Sequence, residues 1–375
     1  MIEKRRSRIG LTRRQERLFI WAAVGLVAFI ATGWTAAIVD LHAQKRETPA
    51  PGGPAATVTR VTRTVATSLL DPEANSTAYL DDAALDFLNP LRGESGKLQM
   101  AFRKPEAELP AKGSHPGAGV TPIYEGEEGH EVGRGVTAPS EPGLYTIAVG
   151  LGKARRAVQD LRLVTLVPFA EKKGPKIGLY YIGSWPYEQG GQPRSAAYAN
   201  PAGFIEVTKE NKATPVSEHF KLQDFLTKDQ YDVWPKYLVL DSRLIDKLEL
   251  LIAELEAEGH PVKHLQIMSG FRTPYYNHAG GNTGGRANLS RHMYGDAADV
   301  FVDNDRNGIM DDLNGDGRVD VADAEMIARA ADRVEAKHPA MVGGVGIYKA
   351  CCGHGPFTHV DVRGYRARWR GEGAG

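Results

Sequence analysis

The chain has 375 residues, enough for two or three domains. Its 42% hydrophobic and 25% charged residues sit near globular averages, which excludes a collagen-like or wholly disordered chain. Lys+Arg and Asp+Glu both number 46, so no net charge draws the molecule onto nucleic acid, and no nucleic-acid partner is expected.

The first elements concern the membrane. Residues 1–17 form a basic segment with Lys4, Arg5, Arg6, Arg8, Arg13, Arg14 and Arg17 against only Glu3 and Glu16. Residues 18–39 follow as an apolar run with no formal charge. A helix of about 20 apolar residues spans a bilayer, and basic flanks stay on the cytoplasmic side. The expectation is a single-pass anchor in the inner (cell) membrane, with the C-terminal domains periplasmic or extracellular. The competing reading is a cleaved signal peptide, whose apolar core should run only about 7–15 residues before a small-x-small site. Here the best candidate site, Leu41-His42-Ala43, begins with a bulky residue.

Residues 40–57 are rich in Pro, Gly and Ala without hydrophobic period, and read as a linker. From residue 58 to 170 short alternating runs, such as Leu98, Met100 and Phe102, are separated by turn clusters including Asn89-Pro90 and Ser140-Glu141-Pro142-Gly143. That pattern predicts an all-β sandwich. Pro142 to Ile147 resembles a late strand of immunoglobulin-like modules. No cluster of His, Asp or Glu in this region looks like a site, so a spacer or binding module is expected, with a cell-wall or divisome protein as its candidate partner.

Glu171 to Lys176 is the expected joint, and residues 177–375 read as an α+β domain. Leu244, Ile245, Leu248, Leu251, Ile252 and Leu255 recur at spacings of three and four, which predicts an amphipathic helix from Ser242 to Glu258. A strand is expected over Leu265 to Met268, a second helix over about Ala322 to Lys337, and a last strand over Thr358 to Val362.

An acidic insertion occupies 303–323. Asp312, Asn314, Asp316, Asp320 and Asp323 take loop positions one, three, five, nine and twelve, with Gly317 at six and the Arg318 carbonyl at seven. This is EF-hand-like spacing for calcium. The run resembles one calcium loop of a dockerin module. A second full unit is missing, so the expected role is structural calcium. Asp303, Asp305, Asn307 and Asp311 repeat the pattern less completely just upstream.

Three further segments carry residue types suited to a zinc peptidase. Ser290 to Asp299 contains His292 and Asp299 on either side of a turn at Gly295. Thr358-His359-Val360-Asp361-Val362 places His359 and Asp361 on one face of a strand. Arg272 follows the strand at 265–268, where a fixed guanidinium can hold a carboxylate or a developing oxyanion. Two histidines, one aspartate and an open fourth position form a catalytic zinc arrangement, not a closed structural one.

Together these segments resemble the zinc D-alanyl-D-alanine carboxypeptidases and murein endopeptidases, whose fold is shared with the zinc domain of hedgehog proteins. The motif Ser-x-His-x-x-Gly-x-Ala-x-Asp runs from Ser290 to Asp299. Ser269 to Thr273, Phe357 to Val362, and Trp369 match in the same order. The resemblance spans about 203–369. It implies His292, Asp299 and His359 as zinc ligands and Arg272 as a substrate or oxyanion contact. Peptidoglycan stem peptides or cross-links are the implied substrate, cut at D-alanine.

The family often has a Glu three residues, or a His two residues, before the last ligand. Pro356 and Phe357 stand there instead. Asp361 and His354 are the remaining candidate bases, and an alternative register makes Asp361 the ligand and His359 the base. That gap also leaves open a non-catalytic, zinc- and calcium-stabilised wall-binding module. The adjacent Cys351 and Cys352 read as structural, because they fit no metal set.

Overall fold

The computed structural model describes residues 85–109, 115–116, 120–126, 129–151, 154–280, 286–351 and 353–371. The expected anchor at 18–39 and the linker at 40–57 lie outside the described residues. Among the described residues no helix is long and apolar enough to cross a membrane.

A short helical turn, Asp86–Arg92, opens the described chain and buries Phe87, Leu88 and Leu91. Five strands then form one sheet: β1 (Met100–Arg103), β2 (Thr121–Glu125), β3 (Glu131–Arg134), β4 (Gly143–Leu151) and β5 (Ala154–Thr165). Their order is β1-β5-β4-β2-β3, antiparallel except for the parallel β1–β5 pair. One face carries Tyr124, Ile147, Val149, Leu161 and Leu163 into a small core with the opening turn. The expected sandwich needs a second sheet facing this one; the described residues of this region build one sheet, and only the two-residue strand at Val167–Pro168 joins another.

The other side of that sheet enters a larger core. Met100 and Val164 are buried in it together with Val216 and Phe220 from beyond the expected joint. The Asp246 carboxylate accepts the backbone N–H groups of Glu94 at 2.7 Å and Ser95 at 2.9 Å, which ties the first sheet to the later domain. The described residues accordingly form one compact unit.

Small elements lead into the site. They are β6 (Val167–Pro168), the β7 (Lys176–Ile177) and β8 (Tyr180–Tyr181) hairpin, β9 (Gly203–Val207) and β10 (Lys236–Leu238). Strands β10, β9 and β6 form a three-stranded sheet. Helix α1 spans Ser242–Ala257, capped by the Asp241 carboxylate on the Arg243 N–H. The six apolar residues read at helical spacing are all fully buried, because one stripe of the helix faces the core.

The second large sheet holds β11 (Leu265–Ser269), β12 (Ala297–Val302), β13 (Gly344–Tyr348), β14 (Phe357–Asp361) and β15 (Ala367–Gly371). A short helix α2 (Pro274–Ala279) follows β11, and α3 (Val321–Lys337) precedes β13. The order is β11-β12-β14-β13-β15. Alternation along the strands divides labour between the faces. Ala298, Val300, Val345 and Val360 enter the same core as Ala324, Ile327 and Ala331 of α3. The Thr358 hydroxyl donates to the Ala324 carbonyl at 2.7 Å, fixing β14 against the helix.

A buried ion pair braces this layer. Lys247 of α1 bonds Glu335 of α3 at 2.7 Å and the Asp361 carbonyl at 2.8 Å. Burial lowers the ammonium pKa, and the Glu335 carboxylate opposes that shift only in part.

Candidate metal centre

The register of the second sheet assembles the site. Ser269 pairs with Asp299, Asp299 with His359, His359 with Gly346, and Gly346 with Trp369. These five residues form one row across five strands, on the face opposite α3. Gly346 is needed in that row, since a Cβ there would lie 2.3 Å from the Trp369 ring. Its absence lets the indole sit 5.1 Å, centroid to centroid, from the His359 imidazole.

His292 arrives from outside the sheet, on the turn Arg291–Tyr294. Gly295 ends that turn at φ 69°, and a Cβ there would meet the Val239 carbonyl oxygen at 2.1 Å. Left-handed backbone costs a side-chain-bearing residue about 1–3 kcal/mol, before any clash is counted. Gly295→Ala is therefore expected to lower stability by at least that much and to loosen His292. Urea unfolding and zinc content of the purified variant check both outcomes.

The three predicted ligands meet. His292, Asp299 and His359 are 2%, 4% and 6% exposed. His292 Nε2 lies 3.2 Å from Asp299 Oδ1 and 3.2 Å from His359 Nδ1, and His359 Nδ1 lies 2.9 Å from Asp299 Oδ1. Zinc bonds of ~2.0–2.1 Å at tetrahedral angles put donor atoms ~3.3 Å apart. The observed triangle is close to that edge length, so these residues could hold a metal ion.

Each donor is oriented from behind. The Gly270 carbonyl accepts from His292 Nδ1 at 2.7 Å, which leaves Nε2 with its lone pair toward the other donors. On His359 the roles are reversed: Nδ1 faces the donors, and Nε2 donates to Asp361 Oδ2 at 3.1 Å. Arg272 bonds Ser269 Oγ through Nε at 2.8 Å and pairs with Asp299 Oδ2 through its terminal nitrogen. Arg272 is thus committed first to the metal-site carboxylate.

Electrostatics follow the same contacts. Desolvation, then the nearby Arg272 charge, pull the His292 pKa down to about 4, so its ring is neutral at pH 7, as a ligand must be. Burial alone would raise the Asp299 carboxyl, but His292 and Arg272 together hold it well below the usual range. Burial would also lower His359, and its bonds to Asp299 and Asp361 raise it instead.

Neither expected base joins the donor group. Asp361 is fully buried on the far side of the His359 ring. Its oxygens also take the Gly344 N–H at 2.7 Å and a bidentate Arg363 guanidinium. Burial opposes ionisation, yet His359 and Arg363 outweigh it and hold this carboxyl far below the usual range. So depressed an acid is a poor proton acceptor at neutral pH. The register with Asp361 as ligand is not the one built here, because the donor group is His292, Asp299 and His359. His354 packs its ring edge-on against Phe357 at 5.0 Å, with Nδ1 at 2.8 Å from the Gly355 carbonyl. Cys351 is disulfide-bonded and so withdrawn from metal binding, while Cys352 lies outside the described residues.

The side chains of the acidic insertion make backbone hydrogen bonds within the loop. Asp312 accepts the N–H groups of Gly315, Asp316 and Gly317, and Asp316 accepts that of Arg318. Asn314 accepts the Asp316 N–H. Asp320 caps α3, and Asp323 accepts the N–H groups of Leu313, Asn314 and Asp320. These side chains order the loop and the start of α3. The carboxylates of Asp303, Asp305 and Asp311, the run read as the less complete repeat, converge.

Sequence reasoning missed the Arg363 clamp on Asp361 and the Gly270 carbonyl behind His292. Arg363 was findable, since residues two apart at a strand end share a face. The carbonyl carries no side-chain signal.

No protein-family model, curated protein or solved structure matches this chain.

Proposed function

We propose that this protein is a membrane-anchored, zinc-dependent peptidoglycan peptidase, hydrolysing peptide bonds at D-alanine in stem peptides or their cross-links. The observation that carries this reading is the buried His292–Asp299–His359 triangle, with donor spacings of 2.9 to 3.2 Å and all three backs braced. The order of motifs around it resembles the D-alanyl-D-alanine peptidases with the hedgehog-type α+β fold. Bound zinc would lower the pKa of a water molecule and polarise a carbonyl. Gly270 and Asp361 hold the two imidazoles in opposite tautomers, so that both present a lone pair to one point. Arg272 steadies Asp299 and brings positive charge to the edge of the site, where an oxyanion or a carboxylate is attracted. With Asp361 spent on orientation, His354 is the base candidate that remains.

Incubating the full chain with purified murein and separating the fragments tests the activity. Stoichiometric zinc with no muropeptide released would reject the peptidase and leave the wall-binding module.

Two further parts of the reading have their own tests. If residues 18–39 anchor the protein, protease added to spheroplasts should degrade residues beyond 40. Full protection, or recovery of a soluble protein lacking residues 1–43, would defeat the anchor. If calcium orders the insertion, the melting temperature should rise with calcium, since binding to the native state alone stabilises it. Asp316→Ala and Asp305→Ala should then separate the two loops, because only the loop that holds the ion loses the rise. A melting curve unchanged across millimolar calcium would reject both.

A further inference from the structure

A tyrosine stands beside the donor row and takes no part in holding the metal. Tyr348 pairs with Phe357 on one side and Gly371 on the other, two positions along β13 from Gly346. Strand alternation puts it on the face that carries Asp299 and His359, opposite α3. Gly371 does for this phenol what Gly346 does for the indole, since a Cβ there would lie 2.2 Å from the Tyr348 ring. The ring stacks on Phe357 at 4.5 Å with the planes 6° apart, which fixes its tilt. Its oxygen accepts the Trp369 indole N–H at 2.8 Å, and that indole lies 5.1 Å from the His359 imidazole. The phenol oxygen is thereby held at the rim of the donor group, on a half-buried side chain. The indole engages a lone pair and leaves the hydroxyl proton, which has no acceptor among the described residues. Burial raises the phenol pKa against the Trp369 bond, and the charges of Asp299 and Arg272 both reach it. The hydroxyl is therefore a neutral donor within the field of the metal site.

We propose that Tyr348 is a catalytic residue, whose hydroxyl donates a hydrogen bond to the oxygen of the scissile carbonyl as negative charge develops there. The inference rests on the peptidase reading and adds one residue to its machinery. It moves no proton, because the phenol stays neutral throughout. A donor already fixed by Phe357 and Trp369 needs no reorganisation as the charge appears, and a hydrogen bond to a charged oxygen is stronger than one to a neutral carbonyl. Arg272 cannot replace it in kind, since its Nε and one terminal nitrogen are given to Ser269 and Asp299.

The test compares Tyr348→Phe with the unchanged full chain, both loaded with zinc. The substitution keeps the ring and its stack on Phe357 and removes only the oxygen. Calorimetric titration with a phosphinate analogue of D-alanyl-D-alanine reads the contact without turnover, because its charged, tetrahedral oxygens imitate the transition state. Phosphinate affinity should fall by roughly 10–100-fold, the loss of one hydrogen bond to a charged acceptor. In murein digests kcat should fall by ~10²–10³-fold with KM little changed. Zinc affinity and melting temperature should stay the same. A merely structural role would instead lower both, as Trp369 loosens against His359. Should Tyr348→Phe fail to fold, Gly371→Ala displaces the ring with its hydroxyl intact and should weaken phosphinate binding in the same way. No phosphinate binding by the unchanged chain, equal phosphinate affinity in chain and variant, or a loss matched by zinc affinity would overturn the assignment. The two readings fail separately. Phosphinate binding that depends on Tyr348, without murein cleavage, rejects the peptidase alone. Murein cleavage with phosphinate affinity unchanged in the variant rejects Tyr348 alone.

Discussion

Alanine at His292, Asp299 or His359 is expected to abolish zinc binding and murein cleavage together. Each substitution removes one of three donors that lie within 3.2 Å of one another. Turnover should fall by more than the ~10²–10³-fold that follows loss of a single oxyanion donor. Arg272→Ala should behave differently from a pure substrate contact. Its guanidinium pairs with the second oxygen of Asp299, so its removal frees that carboxylate to rotate. Zinc affinity should then drop by roughly 10–100-fold, the usual effect of deleting a group behind a ligand. Metal content after dialysis against graded chelator, read beside muropeptide release, separates the two outcomes. Unchanged zinc affinity in Arg272→Ala, with lower turnover, would assign Arg272 to the substrate instead.

Asp361→Asn is the second large effect. The carboxylate accepts from His359 Nε2 and neutralises Arg363, and it is fully buried. The amide keeps one acceptor and loses the charge. The fixed tautomer of His359 weakens, and Arg363 is left as a partly buried cation without its partner. Zinc affinity and turnover should fall in parallel, by roughly 10–100-fold each. Were Asp361 instead the catalytic base, turnover would collapse with zinc affinity untouched. A chelator titration and a murein digest on one preparation distinguish these cases.

Local pattern carried the elements whose chemistry is local. The stripe Leu244, Ile245, Leu248, Leu251, Ile252 and Leu255 needs only helical periodicity to be read, and α1 buries all six. Strand alternation likewise put His359 and Asp361 on one face of β14, where their side chains meet at 3.1 Å. Gly295 is legible for a similar reason: a glycine between two polar ligand types marks a turn that other residues resist, and its φ is 69°. The extent of the first sheet's second face was not legible. Alternation shows that a face is buried and does not show what buries it. Here Met100 and Val164 pack into the core of the later domain.

The sequence by itself therefore determined the donor types, their order and the turn that lets them meet. Those depend on residue identity and on spacing over a few positions. Tertiary structure alone decided what each donor leans on. Asp299 and His359 are 60 residues apart and become neighbours only through the β12–β14 register. That same register leaves Asp361 behind the imidazole instead of before it, hydrogen-bonded to His359 Nε2. The acidic insertion shows the same division. Its spacing marked Asp312 to Asp323 as the fuller loop, and the fold adds that Asp320 and Asp323 accept N–H groups at the start of α3 and of the loop before it. A helix N-terminus must satisfy those donors, and that demand belongs to the folded chain, not to the order of its residues.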